Sequence, residues 1–410
     1  MINATGAKTA EAAKAFNLFD LPEDYYAAPY DWFATLRAYD PVHRNADGTV
    51  LLTRYEDVHV VWWDIENSVD KSEMFSEKFG PGPLLEHHTH TMLFRDPPDH
   101  DRLRMMVNPF FSRRNLKVLE AFVSDLIDQM IAEARERETF DFVKDFAFQI
   151  PMTVICRILG VPKSDRARLH ALGMKVIFPL NPNVSDDVVA DGHAAVAEFK
   201  EYLRFHLRER EKRDLDPDTD ILSTLLAAKQ GGGEISEDEI LHMCIVLLNG
   251  GHETTTNTMS VGLNALLEDR DSLVDFRDNP DIGNTAADEL IRFITPIQLQ
   301  GRRTSKPVEL PSGETLPAET EVILCPASAN RDESKFEGAN SLNLRRTPNR
   351  HFSFGAGVHL CIGRLLAKMQ IGEMFPKLFT AFPEIEKTAE PEFNRNARFR
   401  GLQRMPVRVR

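Results

Sequence analysis

Cysteine is scarce in this chain. Its 410 residues hold four, Cys156, Cys244, Cys325 and Cys361, widely spaced and with no C-x-x-C pair. That pattern excludes a secreted disulfide scaffold and a four-cysteine zinc site, and it fits a reducing cytoplasm. Cations are also in deficit: 49 Lys and Arg stand against 63 Asp and Glu, a net charge of −14. An acidic chain argues against general nucleic-acid binding, which needs clustered cations on the phosphate backbone. Long apolar runs are missing too. The opening MINATGAKTAEAAKAFNLFD has no signal-peptide core, and Met243 to Leu248 is far below the ~20 apolar residues of a membrane span. The chain therefore reads as unanchored, with no membrane span. No internal repeat and no dividing linker is evident.

Hydrophobic residues make up 42% and charged residues 27%. The first is enough for a sizeable core and the second for a solvated surface, so neither disorder nor a fibre is indicated. Residues 1–29 read as a loose lead-in and 30–410 as one domain. Tyr30 to Asp40 is amphipathic and helical. Gly48 to Thr53 reads as a strand after an Asp47-Gly48 turn. Residues 78–99, rich in Pro, Gly and His, read as a long loop. Helical periodicity then dominates from about Asp101 to Arg270. It breaks at Gly160-Val161-Pro162, at Phe178 to Pro182 and at Gly231 to Gly233. Strand patterns return at Val308 to Leu310 and at Glu321 to Leu324. The fold class is mainly α with small β-sheets.

Among the cysteines, Cys361 has the most informative surroundings. Gly355 and Gly357 let the backbone turn sharply and approach a flat partner. Arg364 to Lys377 is a plausible helix, so Cys361 stands near a helix N-terminus, where an anion is favoured. By itself the residue reads as a packed, inert thiol, and Gly-x-Gly alone as a weak phosphate-loop signal without the strand–loop–helix fingerprint. The whole stretch of Phe354, Gly355, Gly357, His359, Cys361 and Gly363 resembles the haem-binding loop of cytochromes P450, whose cysteine-ligated haem is a known case. The resemblance implies the P450 fold, with haem b between a long distal helix and the proximal cysteine loop. It implies that Cys361 is the iron ligand, that His359 lies near a haem propionate, that Phe354 packs beside the thiolate, and that Gly363 belongs to the cofactor loop.

Three further stretches agree in order and position. Glu289 and Arg292 form a Glu-x-x-Arg pair on one helical face, worth only about 0.2–0.5 kcal/mol if exposed. By resemblance they join Arg346 in a structural network that holds the cysteine loop. In Asp96 to Arg104, Asp-Pro suits a helix start and His100 and Arg104 share a face. The resemblance makes His100, Arg104 and Arg302 propionate ligands through charge-assisted hydrogen bonds. Arg303 is an adjacent ambiguity, and register relative to Val308 favours Arg302. Finally, Ser236 to Glu239 is a capping box opening a helix of about 30 residues, roughly 45 Å long. In its middle lie Gly250, Gly251, His252, Glu253 and Thr254, with two more threonines. Poor helix formers here read either as a packing kink or as a local opening that admits dioxygen. Gly-Gly-x-Glu-Thr resembles the P450 acid–alcohol pair, which assigns Glu253 and Thr254 to proton delivery. His252 reads as a packing or surface residue.

Other features weigh less. Glu86-His87-His88-Thr89-His90 resembles a metal site superficially, but lacks a set geometry; the resemblance places it in a loop over the pocket, in reach of a polar substrate. Arg208 to Asp214 carries mixed charges and reads as a solvated helix end. Arg113, Arg114, Lys117, Arg364 and Lys368 lie where the family has its proximal face and would steer an acidic ferredoxin. The family's pocket regions hold Leu84, Leu85, Met92, Ile177, Phe178, Leu247, Gly250, Thr295 and Ile297, mainly apolar. The reading is a cytoplasmic, monomeric haem-thiolate monooxygenase. It takes two electrons from a ferredoxin and an NAD(P)H-dependent ferredoxin reductase, activates dioxygen and oxidises a small-to-medium hydrophobic substrate. The rivals are a peroxide-driven peroxygenase and a non-catalytic haem sensor or binding protein.

Overall fold

A computed structural model describes residues 8–213, 215–217 and 219–410. Residues 1–7 of the expected lead-in and Asp214 of the mixed charge run lie outside the described residues. In chain order the helices are α1 (Ala10–Ala15), α2 (Pro29–Tyr39), α3 (Tyr55–Trp63), α4 (Ser72–Phe79), α5 (Pro83–His90), α6 (Asp99–Val107), α7 (Arg113–Arg137), α8 (Gln149–Leu159), α9 (Arg166–Ile177), α10 (Asp186–Glu211), α11 (Ile221–Gln230), α12 (Glu237–Glu268), α13 (Arg270–Asp278), α14 (Gly283–Ile294), α15 (Pro326–Ala329) and α16 (Arg364–Ala381). The strands are β1 (Val42–Arg44), β2 (Val50–Leu52), β3 (Thr139–Asp141), β4 (Gln300–Arg303), β5 (Val308–Glu309), β6 (Thr315–Leu316), β7 (Glu321–Leu324), β8 (Ile385–Lys387), β9 (Glu392–Phe393), β10 (Leu402–Arg404) and β11 (Pro406–Val409). Helix dominates and the sheets are small, as the sequence pattern predicts.

Local rules explain most of these boundaries. The α12 capping box forms in both directions: Glu239 N–H donates to Ser236 Oγ at 3.1 Å and Ser236 N–H to Glu239 Oε2 at 2.8 Å. Two stretches differ from the sequence expectation. Residues before Tyr30 include α1, capped by Thr9, whose side chain accepts from Ala12 N–H. Phe16, Leu18 and Tyr25 there are buried with Trp32 and Phe33. The helix is too short for its periodicity to stand out. The expected loop at 78–99 contains α5. Pro83 occupies its first turn, where a missing N–H costs no hydrogen bond, so a residue read as a breaker is a starter.

The chain divides into two compact units. The first comprises residues up to Ser68, Glu120–Ile150 and Thr254–Arg410. It holds a four-stranded sheet ordered β1-β2-β7-β4. β2 pairs parallel with β7, Val50 opposite Val322, and β4 pairs antiparallel with β7, Gln300 opposite Leu324. One core cluster packs Val50, Leu52, Val322 and Leu324 of this sheet against Val58, Val61 and Trp62 of α3, together with Phe352. α14 meets α16 through two glycines: a Cβ on Gly283 would lie 2.5 Å from the Gly372 carbonyl oxygen. That close approach sets the helix after the cysteine loop against the helix of the Glu-x-x-Arg pair.

The second unit comprises Val69–Leu119 and Pro151–Glu253 and is helical. α10 carries Gly192, where a Cβ would meet Leu84 of α5 at 2.9 Å. On the buried side of α5, His87 Nδ1 lies 3.2 Å from His242 Nδ1 of α12. One ring must donate and the other accept, so the two rings cannot both be protonated. Burial pushes His87 well below its ordinary range, His242 down to about 3 and His252 down to about 4.

These three depressed values give a pH dependence. In the unfolded chain each histidine titrates near ~6.5, so the unfolded state takes up protons first on acidification. Their contribution to stability is complete above that pH and is lost as pH falls toward the folded values. The denaturant midpoint should therefore drop between about pH 7 and pH 5, and His242→Gln should reduce the drop. A wild-type midpoint that stays level across this range would refute the burial argument.

Candidate active site

In the first unit the site grows from α14. Glu289 and Arg292 have no exposed side-chain surface. Arg292 donates to both carboxylate oxygens of Glu289, Nη2 to Oε1 at 2.7 Å and Nε to Oε2 at 2.8 Å. Glu289 Oε1 also accepts from Asn343 N–H at 2.9 Å. Oε2 accepts from Arg346 Nε at 3.0 Å and Asn349 Nδ2 at 3.2 Å. Arg292 Nη1 donates in turn to the carbonyls of Asn330 and Ala339. Glu289, Arg292 and Arg346 are thus brought together, and burial makes the group far more consequential than an exposed helical pair.

Asn330 carries this network to the cysteine loop. Its Nδ2 donates to Thr295 Oγ1 at 2.8 Å and Ser353 Oγ at 2.9 Å, and its Oδ1 accepts from Phe352 N–H at 2.7 Å. Ser353 Oγ donates to the Ile291 carbonyl of α14 at 2.8 Å. The sequence around Asn330 carries no local signal of this linking role. Thr295, expected along the pocket, is buried and its hydroxyl is engaged here. It adopts a left-handed conformation at the end of α14, with φ 45°. Ile297, also expected there, is half-buried and bridges to Phe399.

The loop itself turns on Gly355 and Gly357, with φ +71° and +65°, values that favour glycine. Cys361 N–H donates to the Phe354 carbonyl at 2.8 Å. Cys156, Cys244 and Cys325 are buried, and burial pushes their thiols up to about 11, 12 and 12. Cys361 alone among the four is not buried. Phe354, Val358, Leu360 and Ile362 around it are half-buried apolar residues, and His359 and Gly363 are half-buried too. Trp62 of α3 stacks on Phe352 with centroids 5.3 Å apart, and a Cβ on Gly355 would reach it at 3.4 Å. Arg302 of β4, nearly buried, lies over the same indole at 5.7 Å. The Trp62 Nε1–H is buried with no acceptor among the described residues. A flat apolar group bearing a carboxylate suits this surface: apolar faces, an accessible thiol, an indole donor and a guanidinium. Trp62 was not legible as a site residue from the sequence.

The second unit holds α6 and the first half of α12. His100 is buried, with Nδ1 2.8 Å from Asp101 Oδ1. Burial lowers its pKa, against the opposing effect of the hydrogen bond that its ring donates to Asp101. Arg104 follows one turn later on α6 and is half-buried. On α12 the two glycines serve different ends. A Cβ on Gly251 would strike Ile155 at 2.7 Å, whereas one on Gly250 meets no atom within 4 Å. Gly251 is a packing glycine and Gly250 faces space. α12 is helical through Gly250 to Thr256. Gly251 relieves close packing within an unbroken helical run. Glu253 is nearly buried, Thr254 half-buried, and His252 fully buried, as a packing role predicts.

The other pocket candidates of this unit divide. Leu84, Ile177 and Leu247 are buried and Leu85 and Met92 half-buried, while Phe178 stands at the surface, 39% exposed. His87 and His88 are packed in α5, against His242 and the Phe75 and Phe79 rings, so they do not form an exposed histidine cluster. Arg113, Arg114 and Lys117 are exposed on the first turns of α7. Lys368 instead bonds Asp288 at 2.6 Å, so it is a tied cation and not a free one.

Comparison with known proteins identifies the class of protein. The sequence model of the family described as "Cytochrome P450" matches residues 170–274 and 284–403. Vitamin D(3) 25-hydroxylase of Pseudonocardia autotrophica is 34% identical over 93% of this chain and 94% of its own length. Cytochrome P450 monooxygenase PikC of Streptomyces venezuelae is 31% identical over 98% and 96%. The structure of P450BioI in complex with an acyl carrier protein bearing hexadec-9Z-enoic acid superposes with a TM-score of 0.88, at 27% identity, over 95% of this chain and 100% of that one. The chain belongs to the cytochrome P450 family. It is an oxidoreductase of the monooxygenase type, and its cofactor is haem iron held by a thiolate. No helix among the described residues is long and apolar enough to cross a membrane.

Glu289→Gln removes the charge that offsets two buried guanidinium groups. Breaking such a pair costs about 3–5 kcal/mol. Haem content, read as Soret absorbance per protein, should fall steeply. Arg345→Ala breaks the exposed Arg345–Asp275 pair and should cost no more than about 1 kcal/mol. Equal haem retention in the two variants would contradict the network's role.

Proposed function

We propose that Cys361 is the thiolate ligand, and that the protein hydroxylates or otherwise oxidises a small-to-medium hydrophobic substrate using dioxygen and two electrons. The observation that carries this reading is the accessible Cys361 on a loop pinned to α14, beside three cysteines that burial makes inert. When bound, the haem supplies reductive activation of dioxygen and transfer of one oxygen atom to the substrate, the other leaving as water. Cys361, Phe354 and Gly363 hold the proximal face. His100, Arg104, Arg302 and His359 hold the propionates by charge-assisted hydrogen bonds; the Arg302–Trp62 pairing supports that role for Arg302. Glu289, Arg292 and Arg346 act structurally, through the loop.

Proton supply falls to Glu253 and Thr254. A nearly buried carboxylate exchanges protons with solvent more slowly than an exposed one, but in the right place, and a hydroxyl both donates and accepts. Leu84, Leu85, Met92, Ile177, Leu247, Gly250 and Ile297 line the substrate's side, with Phe178 and Thr295 at its margins; the open space at Gly250 supports this. A lipophilic substrate is supported by the name of the vitamin D(3) hydroxylase relative. The electron donor is a ferredoxin served by an NAD(P)H-dependent reductase, docking at Arg113, Arg114 and Lys117, and the working form is a cytoplasmic monomer.

A substrate is first found by its shift of the Soret band. In the reconstituted system Thr254→Ala should then keep consuming NAD(P)H while product per NAD(P)H falls on the order of 100-fold and hydrogen peroxide rises. An unchanged product yield would remove Thr254 from proton delivery. Turnover with hydrogen peroxide but not with ferredoxin and reductase would favour the peroxygenase.

A further inference from the structure

We propose that His170, His252 and Glu253 form a binding site for one divalent transition-metal ion of the zinc class. Two helices of the second unit bring them together, α9 with His170 and α12 with the other two. Glu253 Oε2 lies 3.9 Å from His252 Nε2 and 4.0 Å from His170 Nε2. One donor atom from each residue falls within 4.8 Å of the others. The two imidazole rings pack edge to face, centroids 5.2 Å apart. Neighbours in sequence do not normally face each other on a helix, so the approach of Glu253 to His252 is a particular arrangement.

The donors are also in suitable chemical states. His252 Nδ1 lies 2.8 Å from the Leu248 carbonyl oxygen. A carbonyl only accepts, so Nδ1 carries the hydrogen and Nε2 presents its lone pair. This is the outer support that metal-binding histidines commonly have. Burial pushes both His170 and His252 down to about 4, so neither must lose a proton near neutrality before binding. Glu253 adds a negative charge. The His170 side chain is 34% exposed and provides the entry path. Bonds of about 2.0–2.1 Å set tetrahedral donors about 3.4 Å apart. The donor separations of 3.9 and 4.0 Å to Glu253, and of no more than 4.8 Å across the set, close to that spacing by movement of the donors toward a common point. Two imidazoles and one carboxylate suit zinc, nickel or copper; calcium and magnesium take all-oxygen sites. A bound ion would hold the carboxylate assigned above to proton supply. That consequence rests on the proposed function, whereas the binding does not.

The test titrates the full-length, chelator-treated haem protein with zinc chloride in a calorimeter. The wild type should bind one zinc here, and His170→Ala and Glu253→Gln should weaken it about 100-fold or more. His90→Ala, which alters an exposed histidine of α5, should leave it unchanged. An unchanged Soret band shows that each variant is folded, and anomalous diffraction at the zinc edge should place the ion between the three donors. Equal affinity in wild type and His170→Ala, or a zinc peak on α5 alone, overturns the proposal. Zinc that binds here without slowing turnover keeps the site and refutes the proton role of Glu253.

Discussion

A carboxylate without access to water holds the cysteine loop in place. Glu289 accepts hydrogen bonds from Arg292, Arg346, Asn343 and Asn349. A buried charge is tolerated only when it is paired and hydrogen-bonded. The segment from Asn343 to Asn349 must therefore lie where these donors meet Glu289. Arg292 fixes Asn330 and Ala339 through their carbonyls, and Asn330 fixes Phe352 and Ser353. By the time the chain reaches Gly355, its direction is set by hydrogen bonds that trace back to one helix. A buried pair of this kind contributes little net stability compared with apolar packing, but it defines position. Here the positioned element is the loop on which a thiol stays accessible.

The rest of the chain's cysteines sharpen this point. Cys156, Cys244 and Cys325 sit in apolar surroundings that oppose ionisation. Cys361 differs by its loop, between the left-handed glycines and the start of α16. Burial thus opposes ionisation at three of the four cysteines and leaves Cys361 accessible.

Patterns local in sequence were legible before the fold. The capping box of α12, the strand at Glu321–Leu324 and the loop from Phe354 to Gly363 all follow from neighbours a few residues apart. The Glu289–Arg292–Arg346 association was legible only through family resemblance, and the structure supplies its hydrogen bonds. What depended on distant partners was hidden. Asn330 acts across 35 residues to Thr295, and Trp62 meets a loop nearly three hundred residues along the chain. Pro83 and the histidines after it suggested a loop because burial, which makes α5 a helix with packed imidazoles, has no local sequence mark. The packing role of Gly251 was hidden for the same reason: its partner Ile155 lies far away in sequence.

The central claim is that Cys361 is the iron ligand. The most direct measurement is the difference spectrum of the reduced protein under carbon monoxide, in the wild type and in Cys361→His. The account predicts the red-shifted Soret band of a thiolate-ligated haem in the wild type and its loss in the variant, with the other three cysteines intact. A thiolate band that persists in Cys361→His, or its absence from the haem-loaded wild type, would contradict it.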